Sequence, residues 1–417
     1  MNKKQLLNSF WMISEKIVSL IGILFVTSFV AKYIGSIAFG KIALATACFQ
    51  IIQTAAQLGS DNIIFKRVTQ NPDSALKLMK STTLPRVLIY ICLSSPLIIW
   101  FWTMNDNLIL CFAIALSLTC LISSADVYAI YNNASLRSKK NTIYNVCGIS
   151  AGLLLRYGIA WYQIDPAYLS FPIVFTTLIP YLLRQYDFRD KNVNKLNSRA
   201  RWKYCRYLFS SGISLVTASL SVAIYTRLSQ VILAWLAGPA ALGIFSVASS
   251  LASSWIFVTA ALIASSYTSI FNCNDSEKAM LRAAKLNQIV ILVSLVFVVI
   301  IILTGRPLLS YLYGSEYSPA YPAMVILSIS SLLSALGPIA YRFIIKLSGY
   351  SYLSKKMLIQ SLISLPLSIV LISKFGLEGA AWSMLITELL SLTLLNYFFS
   401  SAIILKMHYA IFFKKEN

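Results

Sequence analysis

Apolar residues run along this chain in twelve stretches of 16 to 30 residues, parted by short polar punctuation. About 20 apolar residues in a helix cross the hydrocarbon core of a bilayer, so each stretch predicts one membrane-spanning helix. The predicted limits are Ser9–Ala31, Phe39–Leu58, Leu84–Phe101, Leu108–Ile130, Thr142–Tyr162 and Ala167–Leu183 in the first half. In the second half they are Leu208–Leu236, Leu242–Phe271, Gln288–Thr304, Tyr321–Ile345, Met357–Ile372 and Gly379–Ile404. The seventh and eighth are longer than a bilayer needs, which predicts tilt or extension beyond it. The fold class expected is an all-α polytopic membrane protein of twelve transmembrane helices.

The residues between the stretches orient them. With Lys41 and Arg86, each just inside the start of a span, counted in the adjoining connections, the even-numbered connections and both termini hold 27 of the Lys and Arg residues, and the odd-numbered connections hold 4. That asymmetry places both termini in the cytoplasm. Trp100, Trp102, Trp161, Trp235 and Trp382 fall at the ends then assigned outward, and Trp11 and Trp202 at inner ends, as an interfacial aromatic belt requires. Trp255 falls mid-span. It reads either as core or as a stacking surface for a sugar or lipid in a cavity.

Composition closes off other classes. Over 417 residues, 58% are hydrophobic and only 12% charged, with a mean hydropathy of +0.73. That polar complement cannot coat a water-soluble globule. The net charge of +21 does not mark a nucleic-acid binder, because the basic residues are dispersed between apolar stretches. A single histidine, His408, excludes a His-based triad or a multi-histidine metal site, and no metal or other cofactor is expected. The cysteines at 48, 92, 111, 120, 147, 205 and 273 lack C-x-x-C spacing and read as small core residues. Glu15 and Lys16 interrupt the first stretch and no small-residue cleavage site follows, so it is expected to persist as the first span.

Two segments of the first half recur in the second. Gly35-x-x-x-x-Gly40 reaching Ala45 matches Gly238-x-x-x-x-Gly243 reaching Ala248, 203 residues on. Ser135-Leu136-Arg137-Ser138-Lys139-Lys140 resembles Ser351-Tyr352-Leu353-Ser354-Lys355-Lys356, 216 residues on. The matches fall between corresponding helices, so two six-helix lobes are expected, 1–183 and 207–417, with a basic cytoplasmic linker at 184–206. Six spans is an even number, so the copies share one orientation and are related by an axis along the membrane normal. Two such lobes facing each other across a cleft make a transporter architecture. The linker carries eight basic residues with Asp187 and Asp190, and reads as a topology-setting connection or as a dock for anionic headgroups.

Charges inside the bilayer are costly and mark a pathway or a pair. The basic members are Arg156, Arg227 and Arg342; the acidic ones are Glu15, Asp126 and Glu388, with Asp61 just beyond the second span. Arg227 lies about 15 Å from the outer end of its helix and cannot snorkel cheaply. Basic residues on both lobes suit an anionic substrate, because guanidinium groups bind phosphate bidentately. Ser210, Ser211, Ser214, Thr217, Ser249 and Ser253 read either as sugar-binding hydroxyls or as small-residue helix packing.

Five segments carry a family likeness: Ala31-Lys32-Tyr33-Ile34-Gly35 with Phe39-Gly40, Leu58-Gly59, Leu242-Gly243-Ile244-Phe245, Leu312-Tyr313-Gly314-Ser315-Glu316-Tyr317, and Lys374-Phe375-Gly376-Leu377-Glu378-Gly379. In that order and spacing the chain resembles the Wzx-type O-antigen flippases. These form the polysaccharide-transporter branch of the multidrug/oligosaccharidyl-lipid/polysaccharide (MOP) exporter superfamily, to which the multidrug exporters called MATE also belong. The likeness departs at Arg227-Leu228-Ser229, where many relatives read Arg-x-Asp.

The resemblance implies a flippase in the bacterial inner membrane. It would move undecaprenyl-pyrophosphate-linked oligosaccharide from the cytoplasmic to the periplasmic leaflet, by alternating access through a cationic lumen. Arg227, Arg156 and Arg342 would hold pyrophosphate, with Trp255 a candidate substrate contact. Asp126, Glu15, Glu388 or Asp61 would carry a coupled proton or sodium ion. The expected partners are the lipid-linked oligosaccharide, membrane lipids, and an O-antigen polymerase and chain-length regulator. One rival is a drug or small-solute exporter of the multidrug or major facilitator type. The other, a polytopic polysaccharide polymerase or glycosyltransferase, calls for a sizeable catalytic loop outside the membrane, and the outer connections here are short.

Overall fold

The structure is a computed structural model and describes residues 3–189, 198–271, 275–400 and 402–413. Those residues form helices α1 (Lys3–Ile21), α2 (Ser28–Gln57), α3 (Ser60–Gln70), α4 (Pro72–Thr103), α5 (Asn107–Ala125), α6 (Tyr128–Ala134), α7 (Ser138–Trp161) and α8 (Ser170–Asp187). They continue with α9 (Ser198–Ser253), α10 (Ile256–Phe271), α11 (Ser276–Leu312), α12 (Ala320–Lys346), α13 (Tyr350–Leu392), α14 (Leu394–Tyr397) and α15 (Ile403–Phe413). A π-helical segment, Gly22–Thr27, joins α1 to α2. Polar residues at the punctuation do the capping. Asn71 accepts from the Ser74 amide at 3.0 Å and Asp106 from the Leu108 and Ile109 amides at 3.1 and 3.2 Å, satisfying first-turn donors that have no partner within the helix.

Among the described residues, nine helical runs are long and apolar enough to cross a membrane. Three of them are broken once by a glycine at positive φ: Gly35 within 13–57, Gly238 within 219–264 and Gly376 within 350–397. Dividing each at its glycine turns nine runs into the twelve spans expected. The chain is therefore a multi-pass membrane protein with an all-α fold. Six tryptophans at the predicted belt positions, among them Trp102 and Trp235, are exposed on the helix surfaces.

The helices form two compact units, residues 1–223 and 224–417. In the first, Ile64, Leu78, Met79 and Leu208 make one buried cluster, joining α3 and α4 to the start of α9. In the second, a larger cluster runs from Trp255 through Ala283, Phe343 and Leu353 to Met407, joining α10 to α13 with α15.

The internal duplication is written in the backbone. Gly35 has φ 75° and ψ 171°, and Gly238 has φ 85° and ψ 169°, a region open in practice to glycine alone. The second recurrence has a different register from that of the Ser-Lys-Lys match. Leu136 (φ 55°) and Ser348 (φ 60°) end helices in the same left-handed cap. Arg137 N–H donates to Asn132 O at 2.8 Å, and Gly349 N–H to Ile344 O at 2.9 Å. The equivalence is thus 212 residues, one helical turn short of the 216 given by matching side chains.

At Gly238 an added Cβ would meet nothing within 4 Å, so any effect of substitution there is conformational. Gly238→Ala is expected to cost about 1–3 kcal/mol. A shift in the thermal unfolding midpoint of the detergent-solubilised protein measures it.

Several expectations change. The fourth stretch does not run helically to Ile130: α5 stops at Ala125, and Asp126, at φ −78° and ψ 77°, turns the chain into α6. The last stretch is broken again at Thr393. Cys92, Cys111 and Cys147 lie on exposed flanks, whereas Cys120 is buried; Cys273 and Asp190 lie outside the described residues. The linker begins later than Arg184, which is buried in α8, and Asp187 pairs with Lys140 at 2.5 Å.

Asp106, between α4 and α5 and outside the spans, accepts from Lys41 of α2, which holds its carboxyl below the ordinary carboxylate range. A carboxylate depressed on folding stabilises above its unfolded pKa of about 3.9, and that contribution is lost as pH falls through the folded value. The pair is partly exposed, so Lys41→Met is expected to change stability by less than about 1 kcal/mol at neutral pH. The difference from wild type, followed by thermal unfolding against pH, is expected to vanish in acid.

Candidate functional site

Unit 1 encloses a cavity of about 320 Å³ lined by polar side chains, among them Gln53, Asp61, Arg86, Asp126, Asn145 and Arg184. Two guanidinium groups reach it from opposite walls. Arg184, 4% exposed, donates to Asp126, to Asn145 Oδ1 and, at 3.2 Å, to Asn141 Oδ1. Asn145 in turn donates to Glu15 Oε1 at 2.9 Å, so an acid, an amide, a guanidinium and a second acid form one chain across α1, α7, α8 and the α5–α6 turn. Asn141 extends it, donating to Asn133 Oδ1 at 2.8 Å and accepting from Asn132 at 3.1 Å.

On the other wall Arg86, 1% exposed, donates to Ser60 Oγ at 3.0 Å and Thr82 O at 3.2 Å. Ser60 also hydrogen-bonds Asp61, which lies in the charge field of Arg86. The chain can place Asp61 there because Leu58 and Gly59 both take left-handed backbone (φ 52° and 61°), ending α2 and starting α3 at once. Buried charges survive only when compensated: Arg184 is ion-paired and hydrogen-bonded, and Arg86 is hydrogen-bonded with Asp61 in its charge field.

Small residues bring the walls together. An added Cβ at Gly148 would lie 2.5 Å from Pro180 Cδ and 2.8 Å from Thr176 O. At Gly152 it would lie 2.2 Å from Thr176 Cγ2. This G-x-x-x-G face of α7 lets α8 approach to backbone contact, which aims Thr176, Thr177 and Arg184 inward.

In unit 2, Glu388 sits in a small polar pocket with Tyr225, Ser229, Ser368, Ser383 and Thr387. Tyr225 hydrogen-bonds Glu388, and Lys356 lies in its charge field while donating to Asn396 Oδ1 at 2.7 Å. Ser229, where many relatives of the resembled group carry an acid, is buried and its hydroxyl has no hydrogen-bond partner among the described residues.

The sequence of one long stretch of this chain answers to a known profile: that of the polysaccharide biosynthesis protein family matches residues 6–269. The chain belongs to this family. A curated relative, the capsular polysaccharide biosynthesis protein CapF of Staphylococcus aureus, is 27% identical over 227 residues, covering 52% of this chain. The match spans about half of that relative, 54% of its length. The fold is shared with solved MOP-superfamily transporters. Lipid II flippase MurJ in an inward closed conformation superposes with a TM-score of 0.66 at 12% identity, covering 97% of this chain and 90% of its own. A MATE multidrug transporter does so with 0.61 in an outward-facing conformation, at 14% identity over 100% and 99% of the two chains. At these identities the likeness is one of fold. The family is thus one of polysaccharide biosynthesis, and the fold is one that solved transporters share.

Against that family background, the expected site residues separate into groups. Asp61, Asp126 and Glu15 converge on the unit 1 cavity, whereas Glu388 belongs to the unit 2 pocket. Arg156 is half-buried on α7 and makes no ion pair among the described residues. Arg227, also half-buried, reaches Gln230 Oε1 at 3.5 Å. Arg342 points at Ile263 O, 3.5 Å away. Trp255 is 2% exposed and stacked on Phe297, with centroids 5.5 Å apart and planes 4° from parallel, so it packs as core. Sequence reasoning missed Arg86 and Arg184, which it counted among the connections, and with them Gln53, Gln57 and Asn145. The available signal was polar amides recurring on helices that also carried an acid.

Proposed function

We propose that this chain flips a lipid-linked oligosaccharide from the cytoplasmic to the outer leaflet of the bacterial inner membrane, with both termini cytoplasmic. The observation that carries this reading is the polysaccharide-family profile lying on a fold shared with lipid and drug transporters. The substrate is an undecaprenyl-pyrophosphate-linked O-antigen repeat unit, moved by alternating access. Arg227 supplies the main contact to pyrophosphate, since among the described residues its half-buried guanidinium has no carboxylate partner. Arg156 and Arg342 assist. The unit 1 cavity, lined by Asp61, Asp126, Arg86 and Arg184 and reached by Glu15 through Asn145, couples the cycle to a proton or sodium gradient. The O-antigen polymerase and chain-length regulator act downstream.

Arg227→Ala removes a charge-assisted contact worth about 1.5–3 kcal/mol, a tenfold to hundredfold loss of substrate affinity. Surface polysaccharide in a flippase-null strain carrying the variant is expected to fall accordingly. Wild-type polysaccharide from both Arg227→Ala and Arg156→Ala would remove the cationic role. Collapsing both gradients across reconstituted vesicles is expected to stop transport, and undiminished transport would end the coupling reading. The similarity to CapF favours a second reading, in which the repeat unit is capsular. The sugar composition of the polysaccharide lost on deletion separates the two.

A further inference from the structure

The start of α9 does not line the cavity, yet it is firmly packed and carries a dense run of exposed basic residues. Leu208, fully buried, locks it into the cluster with Ile64, Leu78 and Met79. Cys205 Sγ lies 3.3 Å from Ser81 O, and Gly212 passes so close to α2 that a Cβ would stand 2.4 Å from Leu58 O. With that face committed, the opposite faces display Arg199, Arg201, Lys203 and Arg206, all exposed. Among them stand Trp202, 69% exposed, and Phe209, 46% exposed; Trp202, Arg206 and Phe209 share one stripe at i, i+4 and i+7. Tyr207 carries the Arg67 guanidinium over its ring at 5.3 Å, which ties α3 into the same surface, and Lys66 and Lys80 are exposed beside it. Asp61 and Asp73 are the exposed acids among the described residues of α3 and the start of α4.

We infer that this surface is a docking site for the phosphate headgroups of anionic phospholipids in the cytoplasmic leaflet. Two features select that occupant. Exposed tryptophan and phenylalanine interleaved with Lys and Arg is the chemistry of the headgroup boundary, where an aromatic body meets acyl carbon and a cation meets phosphate. The patch also lies at the start of α9, whose later residues, from Ser219 on, belong to a run apolar enough to cross a membrane, so a lipid surface lies ahead along the same helix. The inference rests on the orientation given under the proposed function, not on flipping, and it is read without transport.

The test uses the full-length protein in vesicles of phosphatidylcholine with brominated phosphatidylglycerol or brominated phosphatidylcholine as quencher. The fluorescence of Trp202 is taken as the difference between wild type and Trp202→Phe. Each Lys or Arg near an anionic surface contributes roughly fivefold in association, so brominated phosphatidylglycerol is expected to quench Trp202 at roughly a tenth of the mole fraction needed by brominated phosphatidylcholine, or less. The variant R199Q/R201Q/K203Q/R206Q is expected to lose that preference, and R199K/R201K/R206K to keep it. Should the glutamine variant fail to fold, salt decides on the wild type: at about 1 M, where the screening length falls to about 3 Å, the preference disappears. Equal quenching by both lipids, or a preference that survives high salt, overturns the inference. So does full release by inorganic pyrophosphate at constant ionic strength, which would make the surface a pyrophosphate site instead.

Discussion

Arg184→Ala is expected to be the most damaging single change in unit 1. The guanidinium is buried and pairs with Asp126 while donating to Asn141 and Asn145. Removing it leaves a buried carboxylate and two amide oxygens without their donor. Breaking a buried pair by deleting one partner costs about 3–5 kcal/mol. The unfolding midpoint should fall steeply, and little protein should reach the membrane. Replacing both partners, as in R184M/D126L, removes the orphaned charge together with the pair, and such exchanges are often neutral in stability. The double variant is therefore expected to regain most of the lost midpoint while remaining inactive in the complementation assay. A double variant that is stable and fully active would show that the ion pair serves the fold alone.

Gly148→Leu is expected to follow closely. The added side chain has to displace Pro180 and the Thr176 carbonyl, which belong to a helix backbone and cannot swing aside. Overpacking of this kind costs about 1–3 kcal/mol, and backbone contact puts this case at the upper end. The geometry of the cavity fails with it, because Asn145 on α7 and Thr177 and Arg184 on α8 line its wall from the two helices being forced apart. Gly148→Ala, with a smaller intrusion at the same contact, should fall between the two. Thermal unfolding of both variants, with surface polysaccharide as the second readout, gives the ranking. Equal stability of leucine variant and wild type would mean that α7 and α8 do not approach as closely as described.

The twelve spans were legible because each is a long, predominantly apolar stretch, and a helix in lipid has no other way to satisfy its backbone. Two of the three glycine breaks within long helices were legible in kind, since Gly35 and Gly238 stand in matching contexts, and their backbone angles agree. The second recurrence was legible but misregistered. Lys139-Lys140 and Lys355-Lys356 resemble each other as surface residues, whereas the register is set by the left-handed caps at Leu136 and Ser348. The acids of unit 1 could be nominated one at a time, but their convergence could not. Arg184 at the end of an apolar stretch reads as a loop residue in contact with water. Only the approach of Asp126 from another helix shows it to be interior. Gly148 and Gly152 were silent for a similar reason: glycine is common in membrane helices, and what gives these two meaning is Thr176 on the opposite helix.

The Asp126–Arg184 pair also bears on how the chain is made. The two residues are 58 positions apart, so the carboxylate leaves the ribosome first and its counter-charge only later. At about 5–20 residues per second that interval lasts roughly 3–12 s. Throughout it, the fourth helix has to wait beside the insertion machinery with an uncompensated acid, and it can be released into lipid only once the sixth has arrived. Biogenesis of the amino-terminal half is thus a concerted event closed by a single late arginine. Truncation upstream of residue 184 should yield a nascent chain marked for degradation rather than a smaller, stable bundle.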